Sequence, residues 1–191
     1  RKLEKLLGEA HSGLGDGVLM SSRDGVLFDR WAEAFITPGT EPQVWTDRMC
    51  EPAWGMLQMS PDELTLYWME RDADGVRILR RGTLRTDGFV SVHAGGEVGE
   101  VLTRPFVFSG SQLEVNYRTS AAGLIRFELC DQAGKTLPGF DLTSSEVLYG
   151  NETAHVVRWY GQDGVSSLAG RSVRLRVRLQ DADLYSFLFT A

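Results

Sequence analysis

One stretch near the end of the chain, SVRLRVRLQDADLYSF at 172–187, limits the fold more than any other. Val173, Leu175, Val177 and Leu179 alternate with Arg174, Arg176 and Arg178. A strict period of two is the pattern of an extended strand, with its apolar face in a core and a wet basic face outside. Antiparallel sheets tolerate such one-sided burial. The Asp-Ala-Asp at 181–183 reads as a turn, and LYSFLFTA as a final strand.

The same texture runs from about Gly13 onward. Short β-prone runs (GVLMSS, GVLFDRW, WGMLQMS, ELTLYWME, VRILRRGTL) are separated by Gly, Asp, Asn and Pro. This is the pattern of strands joined by tight turns. In VLMSSRDGVLF, Asp24-Gly25 supplies the hairpin signal, because Asp bonds its own backbone and Gly accepts positive φ. Asp24 is therefore read as a turn residue and not a catalytic acid. QMSPDELTLYW repeats the scheme with Pro61-Asp62. From about Leu84 a second set follows: GFVSVHA, EVLTRPFVF, QLEVNYRT, LIRFELCD, HVVRWYG and the two strands above. Seven strands of this kind suit a two-layer sandwich of jelly-roll type. Ahead of both sets, Leu3, Leu6 and Leu7 share one helical face, so 1–12 reads as a helical lead-in or linker.

Composition narrows the function classes. The 191 residues carry 20 basic and 26 acidic side chains, a net charge of -6, which disfavours a nucleic-acid binder. No apolar run approaches the roughly 18 residues that a membrane helix needs, and no signal peptide opens the sequence. Cys50 and Cys130 are far apart and lack metal-ligand spacing, so two buried free thiols are expected. His11, His93 and His155 each stand alone, and neither a metal nor a cofactor is expected. HAGGEVGE is Gly-rich but follows no βα pattern, so it reads as a hairpin rather than a phosphate loop.

Several segments together resemble a known family: GVLMSSRDGVLFDRWAEAFITPG, PAWGMLQ, LRRGTLRTDGFVSVHAG, NYRTSAAGLIRFELCDQAGKTLPGF and RLRVRLQDADLYSF. They are similar to the C-terminal part of bacterial glycosidase-like proteins of the five-bladed β-propeller superfamily, which includes invertases, levansucrases and arabinanases. The resemblance implies an all-β chain, with partial propeller blades followed by a jelly-roll-like β-sandwich. Its divisions are 1–12 (lead-in), 13–83 (hairpins of the final blades) and 84–191 (sandwich). At about 40–45 residues per blade, 13–83 holds fewer than two blades of five. The family's axial acids come chiefly from early blades, and its Asn-Asp-Pro and Arg-Asp-Pro signatures are not found in this sequence. The resemblance thus implies a C-terminal portion, with an upstream propeller segment or a second copy as its partner.

Glycosidases work with paired carboxyl groups. Asp24, Asp29, Glu33, Asp47, Glu51 and Glu70 lie in the blade-like region. Glu51 is the catalytic candidate, because it precedes PAWG. Trp54 beside it would raise its pKa by desolvation, the alternative being a solvated loop carboxylate. Glu70 is either a sugar contact or a solvated strand end. Trp31, Trp45, Trp54 and Trp68 would stack on carbohydrate where exposed and pack as core where not. Trp45, in the polar EPQVWTDRM, is the strongest platform candidate. The Arg174, Arg176 and Arg178 stripe would grip an acidic polysaccharide or form a solvated or docking face. Three functions follow: part of a glycoside hydrolase-like protein braced by its sandwich, a carbohydrate-binding module, or an interaction piece completed by another chain.

Overall fold

The computed structural model describes residues 15–41, 49–71 and 76–191. The lead-in helix, His11, Trp45 and Asp47 fall outside the described residues. The protein is all-β with several antiparallel sheets, none of them closed into a barrel. It divides into two compact units, 1–84 and 85–191.

In the first unit, β1 (Gly17–Ser21) and β2 (Asp29–Ile36) form an antiparallel hairpin. Its loop is longer than the Asp-Gly signal predicts. Asp24 Oδ1 accepts the amides of Val26 and Leu27, each at 2.8 Å, and Ser22 Oγ accepts that of Gly25 at 2.8 Å. These donors are lost to the ladder, so GVLF, expected to begin a strand, stays in the loop. Gly25 takes the positive φ of 73° that the turn requires.

The other strands of this unit form a second sheet. β3 (Cys50–Pro52) and β4 (Leu57–Ser60) lie end to end along β5 (Glu63–Arg71), with Cys50 opposite Glu70 and Leu57 opposite Thr65. Pro61 and Asp62 turn β4 into β5, as the sequence suggests. β6 (Arg77–Arg85) also pairs with β5.

The second unit is built on two 19-residue strands, β10 (Gln112–Cys130) and β12 (Ser172–Thr190), paired along nearly their whole length. Three short strands follow one another along β12: β9 (Phe106–Val107), β8 (Gly99–Leu102) and β7 (Val92–Ala94). β11 (Asn151–Val157) pairs with the first part of β10. The sequence divides each long strand in two, and the structure corrects this. Asp181, expected in a turn, is a kink inside β12 with φ of 45°. Across from it, Ser120–Gly123 bulge out of β10, between the pairs Thr119–Ala182 and Leu124–Gln180. The kink also shifts the phase of β12, which buries odd positions up to Leu179 and then Ala182 and Leu184.

The inner faces of these strands meet in one core, with Leu113, Tyr117, Ile125, Phe127, Leu129, Leu175 and Leu179 at 1% exposure or less. Phe140, Leu148, Trp159, Val165 and Leu168 join it from the connecting segments. The part of β10 beyond β11 would be a bare edge, and the connecting segments satisfy it. Phe127 N donates to Ser145 Oγ at 3.1 Å, and Trp159 Nε1 donates to the Phe127 carbonyl at 3.1 Å. A buried edge left unpaired would cost the desolvation of each such group. The unit is sandwich-like in its all-β character.

Candidate functional site: the Trp68 cleft

Trp68 sits near the end of β5, and its indole occupies the space above Gly82 of β6. A Cβ at Gly82 would lie 2.6 Å from the ring, so only glycine lets the strand pass beneath it. Trp68 Nε1 donates to Glu70 Oε1 at 2.9 Å, which fixes the ring's orientation. The same oxygen accepts the Gly39 amide at 3.2 Å, and Glu70 Oε2 accepts from Arg80 Nε at 3.0 Å. Arg80 also pairs with Glu41 at 2.9 Å. Around the indole, Phe35, Ile36, Thr37, Leu66, Thr83 and Leu84 complete an open cleft of about 300 Å³. An aromatic face, aliphatic walls and two threonines suit a small ring-shaped ligand or an inserted side chain.

The sequence candidates divide on inspection. Glu70 is 2% exposed. It is neither a solvated strand end nor a group that a ligand reaches, and it acts through Trp68 by holding the indole. Glu51, opposite Met69, shares a hollow with Glu70, Arg71 and Arg77 that has no room for a water. The two carboxylates therefore come to one region but do not face each other across an open site. Trp54 is 103% exposed, at the Gly55 break between β3 and β4, so its ring shields nothing around Glu51. It is free to meet a ligand. Asp24 is a turn residue: the Leu27 and Val26 amides hold its carboxyl below the usual range.

Cys50 and Cys130 are free and buried. Burial, then the Glu70 charge, pushes the Cys50 thiol up to about 11. Burial and a hydrogen bond to Glu128 do the same for Cys130, also to about 11. Both thiols are protonated and unreactive near neutrality.

The arginine stripe is less open than alternation suggests. Arg174 Nε donates to the Thr103 carbonyl at 2.7 Å. Arg176 pairs with the buried Glu128 and with Glu100, so Arg178 is the exposed member. With Arg174 and Arg176 engaged inside the protein, the stripe offers a polyanion one open guanidinium rather than three. No group of three or more His, Cys, Asp or Glu side chains among the described residues is placed to hold a metal.

Sequence reasoning missed the Gly82–Trp68 contact and the Gly39–Glu70–Arg80 network. Gly82 inside VRILRRGTL was the available signal, since a glycine within a strand marks a close approach.

Comparison with known proteins finds no matching family model, no matching curated protein and no matching solved structure.

Proposed function

We propose that this chain is the C-terminal part of a glycosidase-like protein of the five-bladed β-propeller superfamily. In this reading the first unit supplies strands of the final blades, and the second is a jelly-roll-like sandwich that braces them. The family comes from the sequence resemblance. The supporting structural observation is the burial of the first unit, which is inverted for a free-standing domain. Ile36 and Cys50 are its buried hydrophobic residues among those described, whereas Met20, Trp31, Leu57, Met59 and Leu79, all on strands, are each at least 44% exposed. A propeller blade is covered on both faces by its neighbours, so apolar side chains on both faces are expected when those neighbours are not present. In this reading Glu51 and Glu70 do no chemistry, and the axial acids belong to other blades.

Hydrogen exchange on the chain by itself tests the proposal. Amides of β4, β5 and β6 should exchange at least about a hundredfold faster than those of β10 and β12. Equal protection of the two sets would show that the first unit needs no cover, and the blade reading would fall.

A second reading, a non-catalytic carbohydrate-binding module, is favoured by the full exposure of Trp54. Glycan-array binding that is lost in Trp54→Ala would support it. Absent binding, or binding indifferent to that change, would end it.

A further inference from the structure

His155, on β11, is held between two carboxylates. Its Nδ1 lies 3.1 Å from Glu152 Oε2, and its Nε2 lies 3.1 Å from Glu146 Oε1. A neutral imidazole has one N–H, so one of its nitrogens would then turn a lone pair toward a carboxylate oxygen. Only the doubly protonated ring donates to both. The groups around it hold both carboxylates in place. From β10, the Tyr117 ring meets the imidazole edge-on at 5.8 Å, and its hydroxyl lies 3.3 Å from Glu152 Oε1 and 3.2 Å from the Tyr149 carbonyl. Burial, followed by the Glu152 charge, pushes that phenol up to about 12, so it stays a donor. The Arg158 amide donates to Glu146 Oε1 at 2.7 Å, and Arg85 Nη2 donates to the Glu152 carbonyl at 3.0 Å.

We infer that His155, as an imidazolium, is a proton-dependent latch that fastens the 144–150 segment to β11 along the edge of the second unit's sheet. Glu146 comes from that segment and Glu152 from the strand, so the ring bridges two chain stretches that are otherwise joined by backbone bonds and by the Arg158 amide on the Glu146 carboxylate. Glu146 N donates to the Arg158 carbonyl at 2.9 Å, and Tyr160 N donates to the Ser144 carbonyl at 2.8 Å. The segment covers the core beneath it, where Leu148, Val157 and Trp159 are at most 3% exposed. Loss of the bridging proton removes one hydrogen bond and leaves two carboxylates facing a neutral ring. The His155 side chain is 22% exposed and that of Glu152 is 52% exposed, so solvent protons reach the latch directly.

The test is made on the full chain, labelled with nitrogen-15, with His155 identified by its absence in His155→Gln. At about pH 6 both of its ring nitrogens should carry protons. The pH is then raised until the ring nitrogens report the loss of one of these protons. Exchange at the Glu146 and Tyr160 amides, corrected for intrinsic rate, should then rise by about tenfold, while β12 amides are unchanged. In Glu146→Gln and His155→Gln the pH step at these amides should be missing. A ring with a single proton at pH 6 would overturn the inference. So would a ring that loses its proton with no change in exchange, or a step that survives both substitutions.

Discussion

Glu70, Trp68 and Gly82 show how far single residues could be read from the sequence. Trp54 could not be: its neighbours Ala53, Gly55 and Met56 give no sign of its full exposure, and the sequence leaves it open between a platform and a core residue. Glu70 could not, because two of its partners, Gly39 and Arg80, come from distant positions. Replacing Glu70 with Gln keeps one acceptor for Trp68 Nε1 and Gly39 N but turns an amide toward Arg80. Breaking a buried pair costs about 3–5 kcal/mol. Arg80 is 27% exposed and keeps Glu41, so a cost of about 2 kcal/mol is expected, read from urea unfolding of the first unit. Gly82→Ala should cost about 1–3 kcal/mol and shift tryptophan emission, since the indole must leave its place. An unchanged spectrum would mean that the ring is not held there. In the second unit, the Thr143 hydroxyl, then the Ser144 amide, lower the Asp141 carboxyl to about 2. A depressed carboxyl stabilises above its unfolded value of 3.8 and loses that contribution as pH falls through about 2. Asp141→Asn should therefore flatten the melting temperature of this unit against pH over that window. Parallel curves for the two proteins would contradict this role.

Individual elements were legible where alternation is unbroken. Val173, Leu175, Val177 and Leu179 all fall in the core, as their period requires. The extent of the strands was not legible, because a kink and a turn draw on the same residues: Asp tolerates left-handed backbone in both. What decides between them is whether the partner continues, and β10 does continue past the irregularity. Gly123 makes this possible. A Cβ there would stand 2.2 Å from the Asp181 carbonyl oxygen, a backbone atom that cannot turn aside. Gly123→Ala should therefore destabilise the second unit by about 1–3 kcal/mol. Denaturant unfolding should show a lower midpoint with an unchanged slope, because the surface exposed on unfolding stays the same. Wild-type stability would mean that the two strands do not approach this closely.

At the scale of the whole molecule, the two units differ in what they bury. The second has a continuous core of aromatic and branched side chains drawn from both long strands and the segments between them. The first buries the Glu70 carboxylate and leaves large apolar groups in water. Composition could not distinguish them, because both halves use the same β-prone residues; coverage depends on which faces acquire partners. Burial of apolar surface stabilises by roughly 25 cal/mol per Å², so a unit with few buried side chains has little to set against its chain entropy. Unfolding of the isolated chain should then occur in two steps. The first, at low denaturant, should report on Trp31 and Trp68. The second should report on Trp159, which is 2% exposed in the other core. Trp159→Phe should remove the fluorescence change of the second step and keep that of the first. One cooperative transition shared by all these probes would show that the first unit draws its stability from something other than its own core, and the asymmetry argued here would then have no thermodynamic consequence.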